Sequence, residues 1–194
     1  MVKNQTRKEE TRRNILDAAS RAFREFGFSG VGVDGIAKSA NATSGAFYAH
    51  FGSKDGAFRA ALDLGLDEVI DGVPRFQREF GDGWTDAFID YYLGRPHRED
   101  LACGCAMTSL SPEMTRADVE TRALYDRKMQ TIAGLVAKGL PQFPDDQRLA
   151  KAWSFLGILI GGLTIVRGLQ DKAAIDAVAS SIKSTAASIL KPVG

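Results

Sequence analysis

Residues 43–56 read TSGAFYAHFGSKDG. The stretch crowds hydroxyls, glycines, three aromatics, a histidine and a lysine into the length of just under four helical turns. Too few of these side chains are apolar to build a core, and no two of them are spaced to hold a metal ion. A helix of this composition is made to touch something outside itself.

The flanks say what. Upstream, Ile15, Leu16, Ala19, Phe23 and Phe26 recur at helical spacing, and Thr6-Arg7-Lys8-Glu9 fits a capping box, so a helix is predicted to start near Thr6. Gly27 is placed to close it. After the loop FSGVGV comes DGIAKSA, a short helix with Ile36, Ala37 and Ala40 turned inward, and then Asn41, which tolerates the left-handed conformation of a tight turn. A short helix, a turn and a second short helix over about 33–52 make a helix-turn-helix, whose second helix lies in the DNA major groove. Thr43 is predicted to cap that helix, leaving backbone N–H groups and the positive end of its dipole toward phosphate. Ser44 offers a short donor and acceptor to a base edge, and Gly45 allows close backbone approach. Tyr48, His50 and Lys54 supply donors to phosphate oxygens, which position a protein without reading sequence. Phe47 and Phe51 divide between core and DNA face: Phe51 is expected to pack inward, whereas Phe47 fits either side and is kept among the DNA contacts. Lys3, Arg7, Lys8, Arg12 and Arg13 sit where the chain enters this motif and are candidate phosphate partners.

Residues 12–62, above all IAKSANATSGAFYAHFGSKDGAF at 36–58, resemble the DNA-binding domain of the TetR family of bacterial transcriptional repressors. The features that carry the likeness are the Ile-Ala of the second helix, the Phe-Tyr-x-His-Phe ending the third, and the Ser-Lys-Asp opening the fourth. The resemblance implies a homodimer with an all-helical C-terminal domain that binds a small molecule and dimerises through its last two long helices. The chain departs from the pattern at Gly32, where Thr or Ser is common, at Asn41 in place of a turn glycine, at Ser44 in place of Lys or Arg, and at Gly56, a position often acidic.

Composition agrees with a folded helical protein: of 194 residues, 44% are hydrophobic and 25% charged. The net charge of +1 conceals an asymmetry, since residues 1–60 hold ten Lys/Arg against six Asp/Glu and residues 61–194 hold fifteen against eighteen. A basic head on a mildly acidic body points to a polyanion partner for the head alone. MVKNQTRKEETRRN contains no apolar run of a secretory signal, and WSFLGILIGGLTIV at 153–166 falls short of the ~20 residues that span a bilayer. A cytoplasmic protein without a membrane partner is expected.

Strand signals are nearly absent and the fold class is all-α: a helix-turn-helix domain at 1–53 and a larger helical body at 54–194. The body opens with a connector helix, 54–72, which Pro74 is expected to stop. Further helices are predicted around 84–94, 101–111, 116–139, 146–170 and 172–190. Trp84, Phe88, Tyr91, Met107, Tyr125, Met129 and Trp153 are candidates to line an apolar ligand cavity rather than fill a core. Gly157 and Gly161, four apart, suit a close helix–helix contact, and with Ile175, Val178, Ile182 and Ile189 they would form a dimer seam. Cys103-Gly104-Cys105 invites a thiol-based redox-sensor reading, against which stand the strain of so short a disulfide loop and the lack of an adjacent cation. A thiol-dependent enzyme is disfavoured because no paired base, phosphate loop or carboxylate dyad accompanies the cysteines. No metal ligand set and no cofactor motif is seen. The expectation is a repressor released from a pseudo-palindromic DNA operator by a small, largely apolar effector, with redox sensing as the alternative.

Overall fold

The computed structural model describes residues 2–191, with the side chains of residues 2–4, and so that of Lys3, outside the described part. Among the described residues every regular element is helical. The chain divides into two compact units, residues 1–65 with 101–125 and residues 66–100 with 126–194.

In the first unit, α1 (Val2–Phe26) packs on α2 (Val33–Ser39) and α3 (Ser44–Phe51), and α4 (Lys54–Phe80) starts here. α1 already runs from Val2, so Thr6 lies inside the helix and the expected capping box is not its start. Ile15, Ala19 and Phe23 are fully buried, while Leu16 is half-buried and Phe26, expected on the same stripe, is exposed. The stripe is one residue narrower than the pattern suggests because Phe28, beyond the helix end, takes the place beside Phe23 and Phe58, with ring centroids 5.2–6.0 Å apart. Gly27 ends α1 with φ +71°, the left-handed geometry a C-terminal glycine provides. Residues 101–125 join this unit through α7 (Ala106–Leu110), the 3-10 segment Ser111–Thr115 and the start of α8 (Val119–Lys138). Glu113 Oε1 accepts from the Phe28 N–H at 3.1 Å. Gly65 brings α4 against α7, since a Cβ there would lie 2.5 Å from that of Ala106.

α4 continues through Pro74 to Phe80, well past the expected stop at 72. Proline deletes one helical hydrogen bond but does not oblige a helix to end, and packing on both sides holds this one. Val73 is fully buried, and the Phe76 ring lies 5.2–5.5 Å from those of Phe80, Phe88 and Tyr91 in the second unit. That unit also holds α5 (Trp84–Tyr92), the short α6 (Arg95–Glu99), α9 (Asp145–Gly168) and α10 (Lys172–Ile189). The stretch 95–100, read from sequence as a break, therefore contains a helical turn. α9 and α10 pack closely because Gly162 has no side chain: a Cβ would lie 2.4 Å from Ile182 Cγ2. α9 is long and apolar enough, by length and composition, to cross a membrane. Its Phe155, Leu156, Leu159, Leu163 and Val166 are nonetheless buried within the unit, as expected of a core helix.

Candidate nucleic-acid interface

The turn between α2 and α3 is built from local hydrogen bonds. Asn41 adopts φ +51°, and the Ala42 N–H reaches back to the Ala37 carbonyl at 2.9 Å. This closes α2 and aims the chain into α3 at once. Thr43 is the N-cap: its backbone is extended and its Oγ1 accepts from the Ala46 N–H at 3.1 Å. Gly32 precedes α2 without any side-chain cap, so the Thr or Ser contact common at such a position has no counterpart here. Gly52, at φ +72°, ends α3, and its N–H bonds the Tyr48 carbonyl at 2.9 Å. Ser53 then caps α4, its Oγ accepting from the Gly56 N–H.

α3 has two faces. Phe47 is 0% exposed and lies 5.6 Å from the half-buried Phe51. Phe47 therefore cannot serve as a DNA contact: at eight residues the helix needs an anchor to hold it against α2, and this is the one large side chain it buries completely. The opposite face presents Thr43, Gly45, Tyr48 and Ala49, with Tyr48 51% exposed. A Cβ at Gly45 would meet only its neighbour's Thr43 Oγ1, at 3.8 Å, so nothing in the fold demands glycine there. Ser44 is half-buried and its hydroxyl donates to Asp34 Oδ1, tying the start of α3 to α2. What Ser44 retains for an outside group is acceptor capacity.

Around this face the charge is positive. Arg7, Lys8, Arg12 and Arg13 are exposed on α1, and the Arg12 guanidinium sits 5.4 Å from the centre of the Phe51 ring. Lys54 Nζ rests 4.5 Å above the Phe28 ring, which positions the ammonium group at the start of α4. His50 is half-buried, and its pKa is lowered from 6.5 first by desolvation and then by Lys8 and Arg12. It is therefore a neutral donor-acceptor at pH 7. Sequence reasoning noticed Gly56 only as a departure from the common pattern. Its reason is steric, because a Cβ there would lie 2.2 Å from the Phe51 carbonyl oxygen, where the end of α3 crosses the first turn of α4.

Residues 15–61 match the sequence pattern of the bacterial regulatory proteins, tetR family. That segment is a TetR-family DNA-binding domain. It is 22% identical over 140 residues to the HTH-type transcriptional repressor NemR of Escherichia coli K12, covering 71% of this chain and 70% of that one. The HTH-type transcriptional regulator AcrR of Shigella flexneri is 36% identical over 72 residues, 37% of this chain and 34% of its own. The crystal structure of reduced E. coli NemR superimposes with a TM-score of 0.75 over 90% of this chain and 95% of NemR, at 17% identity. A TetR-family regulator from Agrobacterium tumefaciens gives 0.76 over 92% of this chain and 98% of its own, at 14% identity. These likenesses establish a TetR fold along nearly the whole chain and a transcriptional regulator as its class.

The seven candidate cavity residues of the body are divided between the two units. Met107 is fully buried and Tyr125 half-buried in the first unit, where the Tyr125 hydroxyl lies 2.8 Å from Ser111 Oγ. In the second unit Trp84 and Phe88 pack on each other and on Phe155, at 6.1–6.3 Å, and Trp84 Nε1 donates to the Gly139 carbonyl. They are core side chains, with the indole N–H of Trp84 satisfied, and Met129 is buried as well. Tyr91 and Trp153 are 53% and 40% exposed. Aromatic content alone cannot separate a packed cluster from a cavity wall, and here most of it is packing.

The candidate seam divides too. Gly157 and Gly161 are exposed with open space where a Cβ would be, and Leu149, Trp153 and Ile165 are exposed at the same four-residue spacing. On α10, Ile175, Val178, Ile182 and Ile189 are half-buried within their own chain, and Ile182 fills the notch at Gly162. Cys103 is exposed and Cys105 half-buried on the turn before α7.

Proposed function

We propose that this protein is a homodimeric, cytoplasmic transcriptional repressor that holds a pseudo-palindromic DNA operator with two copies of α3 and releases it when the body takes up a small-molecule effector. The helix-turn-helix domain is taken as residues 1–53 and the regulatory body as 54–194. The observation that carries the reading is the division of α3: Phe47 anchors the helix completely, while Thr43, Gly45 and Tyr48 stand in the open beside the cations of α1. In the proposed complex the N-terminus of α3 meets phosphate and base edges, Gly45 admits the DNA backbone, and Tyr48, His50 and Lys54 position the domain on phosphates. Ser44 accepts from a base edge while it donates to Asp34. One helix of eight residues reads too little sequence alone, so two-fold symmetry and an operator of two half-sites follow.

Footprinting on the protein's own upstream region tests this, with an ordered pair of protected half-sites expected. A monomer without sequence preference would overturn it. Lys54→Ala is expected to weaken binding to all DNA alike and to lower the slope of log affinity against log salt by about 1, read from titrations at several salt concentrations.

Oxidation is a second route to release, favoured by the exposure of Cys103 two residues from Cys105. The similar E. coli repressor NemR has been crystallised in what is described as a reduced form. Peroxide would convert a Cys103 thiolate to the sulfenic acid: the O–O bond breaks, one oxygen is transferred to sulfur and the other leaves as hydroxide. Operator affinity that is lost on peroxide treatment and preserved in Cys103→Ser supports this route. Identical responses of the two proteins exclude it.

A further inference from the structure

The second unit contains a cleft of about 420 Å³ where α6, the end of α9 and the beginning of α10 meet. None of the residues expected to hold an apolar effector lines it. Four cations do: Arg95, Arg98, Arg167 and Lys172. Two carboxylates, Glu99 and Asp176, stand among them, so the lining carries two positive charges in excess. This runs against the mildly acidic body around it.

Three of the four cations are held in place. Arg98, with its side chain 18% exposed, gives Nη1 to Asp176 Oδ1 at 2.8 Å. Its Nε is buried and, among the described residues, meets no acceptor. Arg95 Nε bonds Glu99 Oε1 at 2.8 Å. Arg167 donates Nε and Nη2 to the His97 carbonyl at 3.1 and 2.6 Å, which orients the guanidinium. The remaining wall is aliphatic, from Val166, Leu169 and Ile175.

We propose that this cleft binds a small organic carboxylate with an apolar body. The guanidinium forks match a carboxylate in plane and charge. The aliphatic wall gives an apolar tail a surface to cover, which a bare inorganic anion would leave unused. The volume lies within the ~300–1,000 Å³ typical of small-molecule sites. A nucleotide fits less well, because no aromatic side chain lines the cleft to stack on a base.

The test is calorimetric titration of the full-length protein with octanoate, octanamide and inorganic phosphate, followed as binding itself and not through DNA. It therefore stands or falls independently of the repressor reading. One octanoate per chain is expected, with octanamide weaker by about tenfold or more, the scale of one lost charge-assisted hydrogen bond. Lys172→Glu and Arg95→Glu alter exposed side chains and should each weaken octanoate by a similar factor, with unchanged melting temperature in the absence of ligand. Equal affinity for octanamide, phosphate as tight as octanoate, octanoate affinity untouched by both variants, or no binding at all would overturn the proposal.

Discussion

Two glycines of the DNA-reading head carry opposite predictions. Gly45 lies on the open face of α3 with room for a Cβ, so Gly45→Ala should stabilise the fold by about 1 kcal/mol through helix propensity while weakening operator affinity. Gly56→Ala has the same propensity gain but drives its methyl group into the Phe51 carbonyl, and should be destabilising instead. Urea unfolding of both variants beside operator titration checks the pair; a Gly45→Ala variant that keeps full affinity would remove the close-approach argument. His97 belongs to the same scale. Its ring lies 4.4 Å from Tyr91 and 5.6 Å from Tyr92, and its pKa is lowered from 6.5 by desolvation first and by Arg167 second, against a raising bond to the Tyr91 backbone. The unfolded chain thus takes up this proton near pH 6.5 and the folded chain only at lower pH. Stability is full above 6.5 and declines as pH falls through the interval below it. His50 has a shift of the same sign, so His97→Asn should flatten the decline only in part, and the double variant with His50→Asn further. Melting temperatures across this pH range are the measurement.

At the scale of elements, α4 shows how packing overrules local signals. Pro74 leaves the Ile70 carbonyl without its helical donor, yet the helix continues because Val73 and Phe76 are committed to the second unit's core. Pro74→Ala should restore that bond and raise stability by about 1–2 kcal/mol, less than the ~3 kcal/mol intrinsic difference because proline also restricts the unfolded chain. Denaturant midpoints would reveal it, and a destabilised variant would mean that the ring itself is a packing element. α3 shows the converse. Its short length and its mixture of hydroxyl, glycine and ring side chains were legible in the sequence as the marks of a surface-facing helix, and its cap at Thr43 forms as the residue type dictates. The sidedness of Phe47 was not legible, since aromatics four apart at 47 and 51 allow more than one rotation of the helix. Contact with α2 selects one of them.

For the molecule as a whole, the exposed row Leu149, Trp153, Gly157, Gly161 and Ile165 along α9 is the surface on which a second copy is proposed to pack. Ile165→Glu places a charge at one end of that seam and should shift sedimentation from dimer toward monomer, with operator affinity falling in parallel. A variant that stays dimeric and binds DNA normally would move the seam elsewhere. The cleft of Arg95, Arg98, Arg167 and Lys172 is a whole-molecule feature of another kind, assembled from three helices whose residues lie up to about eighty positions apart. No local pattern announces it.

The sequence by itself determined the all-α class, the helix-turn-helix at 33–52, the turn at Asn41 and the cap at Thr43, because each rests on interactions among residues within a few positions of one another. The family likeness rests on the same compact segment. Tertiary structure alone decided that Phe47 is an anchor, that α4 passes Pro74, that Gly162 rather than Gly157 or Gly161 seats α10, and that Trp84 and Phe88 fill a core. Those outcomes depend on which distant surfaces meet, and hydrophobic periodicity specifies that a face is buried without naming what covers it. Charge follows the same rule: a net balance describes the body as acidic, whereas a ligand would meet only the side chains gathered around one cleft.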